Sequence, residues 1–190
     1  MSRASYLWMK RTADIHRTRL GSSQLSETAE RVLKILKDSN VPVMLVGGYA
    51  VQHHGFFGNT VDIDIVVHDR SSAIDILSMR GFKEKQGNKM TITDRANGVE
   101  VDVLQAGQRM TPNSLPNPEP VGDMIEIEPL VSGKLSSYLG SPGQRLKDAA
   151  HVAELIKARA LPRNFVTHPS VQAEYHRLWD QIQRDPKVEH

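Results

Sequence analysis

The chain has 190 residues, 39% of them hydrophobic and 24% charged, with a formal net charge of +2, enough for one domain with a real core and a helical extension. No apolar run approaches a membrane span, Met1 to Trp8 lacks the apolar stretch of a secretory signal, and the absence of cysteine rules out disulfides, thiolate metal sites and a Cys nucleophile, which together suit a cytoplasmic protein without membrane contact. A charge of +2 gives little whole-molecule attraction to nucleic acid. Residues 1–21 do carry five Lys/Arg against one Asp, and 145–163 five against two, runs that read first as solvated faces and only second as an RNA-binding patch.

In chain order, residues 2–19 have ragged helical spacing. Residues 24–39 predict an amphipathic helix with Leu25, Ala29, Val32, Leu33 and Leu36 on one face. Val41-Pro42 ends it and launches a strand at 43–46. A short helix at 48–54 and a strand at 61–67 follow. A helix over 70–80 places Ala73, Ile74, Leu77 and Met79 in the core, with Gly81 as its C-terminal stop. Strands are predicted at 82–86, 89–94 and 99–104, the last two joined by the turn chemistry of Arg95-Ala96-Asn97-Gly98. Residues 105–120, with four prolines, two asparagines and a glycine, predict a long irregular loop of the kind often tied to function. A short strand at 123–128 ends at Pro129. Helices complete the chain at about 129–140, 142–160 and 168–184. Leu146, Ala149, Ala150, Ala153 and Ile156 form the buried stripe of the second. Val171, Tyr175, Leu178, Trp179 and Ile182 form that of the third, with Pro169 near its first turn. The order is α/β, divided into an N-terminal extension (1–22), a core (23–128) and a C-terminal helical region (129–187).

The chemistry concentrates in Thr60-Val61-Asp62-Ile63-Asp64-Ile65-Val66-Val67. Carboxylates are poor strand formers and costly to bury alone. Residues i and i+2 of a strand share a face, roughly 6–7 Å apart at the backbone, so Asp62 and Asp64 converge on a place suited to a hard divalent cation. A third carboxylate is expected nearby, and Val99-Glu100-Val101-Asp102-Val103-Leu104 supplies Asp102, with Glu100 on the same face as a competitor. Three such groups hold one or two Mg²⁺ for in-line displacement on a triphosphate. Gly47 and Gly48 follow a strand and open a helix, which lets a phosphate approach backbone N–H groups. Singly, these features have plainer meanings: a tight turn, a Ca²⁺ site, capping or edge-strand charges, an exposed strand position. Their order and spacing carry the functional meaning. His53 and His54 read as partly exposed helix residues, and His16, His68, His151 and His168 are too scattered for a metal cluster.

The pattern resembles the polymerase-β-like nucleotidyltransferase superfamily, whose motif is a Gly-Gly or Gly-Ser pair, Asp-x-Asp or Asp-x-Glu in a strand, and a carboxylate in a later strand. It is similar in particular to small bacterial nucleotidyltransferases of the AbiEii toxin type, through Leu45-Val46-Gly47-Gly48-Tyr49-Ala50-Val51, the turn Gly55-Phe56-Phe57, Thr60, and the run Lys134…Arg145…Lys147-Asp148. The resemblance covers about residues 30–160. It implies an α/β (α+β) fold in which a nucleotidyltransferase-type mixed sheet is flanked by helices and followed by a helical region. It implies an NTP such as ATP, Mg²⁺, and transfer of a nucleoside monophosphate to an acceptor hydroxyl. Asp62, Asp64 and Asp102 would bind metal and serve catalysis, with Asp102 activating the acceptor. Gly47, Gly48, Thr60, Lys134 and Lys147 would serve the nucleotide, Lys147 and Asp148 being alternatively a structural charge pair. The acceptor would be tRNA for a toxin with a cognate antitoxin, or a small hydroxylated molecule; a non-catalytic, antitoxin-like regulatory module is the third reading. The chain departs from its relatives at Gly58 and Val61, where they often carry basic residues, and at His151, where they often carry Asp.

Overall fold

Alternating apolar positions decide which faces the strands turn inward. The computed structural model describes residues 23–56 and 60–184; the helix predicted over 2–19, the extension 1–22 and positions Phe57, Gly58 and Asn59 lie outside them. Helix α1 spans residues 23–38 and buries Leu25, Ala29, Val32 and Leu36 as predicted, with Leu33 partly covered. There follow β1 (Val43–Val46), α2 (Gly47–His53), β2 (Asp62–Val67), α3 (Arg70–Met79), β3 (Phe82–Lys85), β4 (Asn88–Asp94) and β5 (Glu100–Gln105). Helices α4 (Ile127–Gly140), α5 (Leu146–Ala158) and α6 (Gln172–Arg184) complete the described chain.

The strands form one five-stranded sheet in the order β1-β2-β5-β4-β3. The central pair β2–β5 is parallel and the other neighbours are antiparallel, giving the mixed sheet flanked by helices that the resemblance implies. Parallel neighbours need a crossover, and here α3, β3 and β4 make it. On one face Ile63, Ile65, Val101, Val103, Ile92 and Phe82 pack in a core with α1 and α3. On the other, Met44, Val46, Val66 and Leu104 pack against α2, α4, α5 and α6. By the period of two, Asp62 and Asp64 share a face with Val66, and Glu100 and Asp102 with Leu104. Each central strand therefore begins polar on this face and ends apolar, and the helices cover its apolar end.

Three expectations are corrected. Residues 123–128 do not form a strand. Met124 makes one isolated parallel bridge to Leu45, with backbone bonds Leu45 N–H to Asp123 O (2.8 Å) and Ile125 N–H to Leu45 O (2.9 Å), and then α4 begins at Ile127. Pro129, read as a strand stop, sits in the first helical turn, where its missing N–H costs no hydrogen bond. Met79 is 83% exposed, because it lies off the 73/74/77 spacing of α3's buried face. Helix α5 starts at Leu146, itself 65% exposed; of the predicted stripe Ile156 is buried and Ala149 packs against the core, while Ala150 is exposed and Asp148, His151, Val152 and Leu155 take the rest of the buried face. Counting apolar residues alone missed that this face carries a buried ion pair. The α6 stripe is as predicted: Val171, Tyr175 and Leu178 are buried and Trp179 and Ile182 pack against them, with Pro169 in the turn before the helix.

One buried charge ties α1 to the β4–β5 turn. Asp94 is wholly buried, pairs with Arg31, and accepts hydrogen bonds from Thr28 Oγ1 (2.9 Å) and Ala96 N–H (2.8 Å). Arg31 also lies over the Phe82 ring at 5.1 Å. Removing one partner strands the other's charge and the donors around it. Asp94→Ala is expected to cost about 3 kcal/mol, the low end for a buried pair because Arg31 is partly exposed; urea unfolding monitored by circular dichroism measures this.

Candidate functional site

The site is built by register. Across the parallel pair, Asp62 stands opposite Glu100 and Asp64 opposite Asp102. Both strands thus deliver their carboxylates to the same face at the same level, as the sequence requires if the two strands pair. Glu100 and Asp102 are then distinguished by their neighbours. Lys85 Nζ from β3 reaches both Glu100 oxygens (2.6 and 2.8 Å), which occupies that side chain. Asp102 is engaged through Oδ1, which accepts from Thr91 Oγ1.

The other two carboxylates are held in similar fashion. Thr60 Oγ1 donates to Asp62 Oδ1 at 2.9 Å, and the Gly48 N–H hydrogen-bonds the Asp64 carboxylate. This gives the glycine pair a concrete role. Gly47 has φ +66, and a Cβ on it would lie 1.7 Å from Asp64 Oδ2; a Cβ on Gly48 would lie 2.6 Å from Thr60 Oγ1. The space left by the missing side chains is filled by the protein's own Asp64 and Thr60. Thr60, expected beside the nucleotide, orients Asp62 directly.

Opposite this acidic edge stands Lys134 on α4, paired with Asp148 of α5 at 2.8 Å, with Arg145 also beside Asp148 at 3.9 Å. A cleft between β2, α4 and the 105–120 segment brings together Gly47, Asp64, Lys134, Arg145 and Asp148. Part of its lining is apolar, formed by Val66, Leu104, Leu115, Ile125 and Leu130. Lys147 is exposed on α5 and is not part of this lining; its charge is felt at the buried His151. Burial, then the charges of Lys134 and Lys147, push the His151 pKa down to about 4, so the imidazole is neutral at pH 7. His54 Nε2 is bonded to the carbonyl of Ile125 (2.8 Å) and packs edge-on to His53, which makes the pair a structural link between α2 and the 123–125 segment.

Sequence reasoning missed Thr91 and Arg145's place in the cleft. For Thr91 the signal was present: a threonine in β4, antiparallel to β5, at the level of Asp102.

The electrostatics favour a cation. Burial first, then the charge of Asp62, push the Asp64 carboxyl up to about 6; Asp102 adds to this, while Lys134 and the Gly48 N–H act in the opposite sense. Among the described residues no three Asp, Glu or His side chains are drawn tightly enough together to hold a metal ion. The donor set nonetheless suits one: all hard oxygens, on one face, with more negative charge than Lys134 offsets.

No family model matches the sequence, and no curated protein matches it. Some solved structures resemble this chain at low identity. The solution structure of the antibiotic-resistance factor ANT(2'')-Ia has a TM-score of 0.45 and 13% identity over 86% of this chain and 89% of that one. ANT(2'')-Ia in complex with adenylyl-2''-tobramycin gives 0.37 and 14%, over 85% and 93%. CdnC of E. coli MS115-1 with ATP gives 0.36 and 16%, over 87% of this chain and 60% of that one. At these identities the chemistry rests on this chain's own residues.

Two outcomes are expected. The folded state binds the Asp64 proton more tightly than the unfolded chain, whose pKa is near 3.8. This contribution to stability is full below that value and is lost as pH rises through about 6. Without divalent metal, Asp64→Asn should therefore gain on the wild type by roughly 2–3 kcal/mol between about pH 4 and pH 7; urea titrations at both pH values measure the difference. Gly47→Ala should displace Asp64, seen as a lower melting temperature and loss of any Mn²⁺ binding detected by electron paramagnetic resonance.

Proposed function

We propose that the protein is a Mg²⁺-dependent nucleotidyltransferase that moves a nucleoside monophosphate from an NTP to an acceptor hydroxyl. The observation that carries this is the register that sets Asp64 opposite Asp102, with Asp62 on the same face and Lys134 across the cleft. Asp62, Asp64 and Asp102 would hold the metal, which when bound screens the phosphate charge and acidifies the acceptor hydroxyl. The acceptor oxygen bonds to the α-phosphorus, the bond to the β-phosphate oxygen breaks, and pyrophosphate leaves. Asp102 would take the acceptor's proton through its second oxygen, the first being held by Thr91. Lys134 and Arg145 border the place for the triphosphate, and Lys134 reaches it by exchanging Asp148 for a phosphate oxygen. Gly47 and Gly48 would serve the nucleotide indirectly, by leaving room for Asp64 and Thr60.

The acceptor has two readings. The likeness of the Gly47-Gly48, Thr60 and Lys134…Lys147-Asp148 pattern to AbiEii-type enzymes favours tRNA, with a cognate antitoxin protein as partner. The partly apolar cleft beside Asp64 favours a small hydroxylated molecule. The protein is to be incubated with each α-labelled NTP, Mg²⁺ and either total RNA or a panel of hydroxylated small molecules. Label on RNA or on one small molecule is expected, reduced about a thousandfold in Asp64→Ala. No pyrophosphate from any combination, together with no Mg²⁺–NTP binding, would leave a non-catalytic binding module as the better description.

A further inference from the structure

We propose that Asn88 and Thr91 are positioning residues that hold Asp102 through a one-way chain of hydrogen bonds. This deepens the nucleotidyl-transfer reading and rests on it. Thr91 and Asp102 are partners across the antiparallel β4–β5 pair, and Thr91 is only 3% exposed. A hydroxyl has one proton to give and two lone pairs to accept with. Asn88 Nδ2 lies 2.7 Å from Thr91 Oγ1, and Thr91 Oγ1 in turn contacts Asp102 Oδ1.

The direction of the chain is set by its far end. The Met90 N–H donates to Asn88 Oδ1 at 3.0 Å. A backbone N–H can only donate, so this contact fixes which end of the Asn88 amide is oxygen. The nitrogen then faces Thr91, where it too can only donate. With a lone pair of Oγ1 taken by Asn88, the single hydroxyl proton of Thr91 is directed to Asp102. Every donor in the series points towards the carboxylate, and each bond polarises the next.

The consequence is orientation. Asp102 Oδ1 is committed to Thr91, so Oδ2 is the oxygen presented to an ion or an acceptor hydroxyl. Asp62 is tied in parallel by Thr60 and Asp64 by Gly48, but among the described residues only the tie on Asp102 runs through a second side chain. Asn88 lies next to the β3–β4 turn, so the chain also links a surface turn to the site.

The test uses the full-length protein and two readouts, Mn²⁺ affinity by electron paramagnetic resonance and steady-state kinetics. Thr91→Val keeps the shape and removes the hydroxyl. It is expected to lower Mn²⁺ affinity or turnover by about tenfold to a hundredfold, the usual loss when an outer hydrogen-bond partner of a ligand is removed, with the KM for NTP little changed. Thr91→Ser should recover most of the loss, and Asn88→Ala should reproduce a smaller part of it. A Thr91→Val protein with a lowered melting temperature but wild-type Mn²⁺ affinity and turnover would overturn the proposal and leave Thr91 a packing residue. A wild-type protein that binds neither Mn²⁺ nor NTP would instead overturn the nucleotidyl-transfer reading, and this role with it.

Discussion

Like charges held side by side in a sheet repel, and most of the local architecture here answers that repulsion. The parallel register of β2 and β5 puts Asp64 beside Asp102 and Asp62 beside Glu100 on one face. Glu100 is neutralised by Lys85 from the neighbouring meander. Among the described residues Asp64, Asp62 and Asp102 receive hydrogen bonds from Gly48, Thr60 and Thr91 respectively. A single donor orients a carboxylate without satisfying it, since each can accept several hydrogen bonds. What is left over is negative potential on the open end of the strands, with Lys134 as the nearest opposing charge acting on Asp64.

The helical half is arranged around that opposing charge. Helices α4 and α5 meet through Lys134 and Asp148, both almost fully screened from solvent by the surrounding helices. A buried pair of this kind contributes little net stability, but breaking it on one side is costly. His151, one turn beyond Asp148, is held neutral at pH 7 by burial and by the charges of Lys134 and Lys147. The polar residues of α5 decide which way the helix faces.

The sheet and the acidic site were legible in the sequence because their signals are strong and local. The β-branched runs around Asp62, Asp64 and Asp102 have period two, and the Gly pair and Gly98 punctuate them. The third carboxylate followed from the sequence only as a choice between Glu100 and Asp102. It took Lys85, fifteen positions away in the chain, to decide it. The face of α5 was misjudged because a hydrophobic count gives no weight to an aspartate and a histidine that are buried by pairing. Residues 123–128 looked like a strand because Ile125 and Ile127 alternate with acidic residues, yet the edge of β1 accepts only one bridge there before Pro129 favours a helix. Thr60 was noticed for its place in a motif, while its physical task, fixing Asp62, depends on a contact no linear pattern reveals.

The connection between β2 and β5 has a kinetic side. β3, β4 and β5 form a meander of near neighbours, closed by short turns and anchored to α1 through Asp94, whereas β2 joins β5 only after the 32 residues between Val67 and Glu100 have been laid down. Local antiparallel pairings close quickly, and long-range parallel ones wait for the loop entropy to be overcome. Asp102 therefore finds Thr91 early in folding and Asp64 late. A cation that needs both strands can bind only once the central pair has closed, so it would slow the opening of the finished sheet without helping to nucleate it.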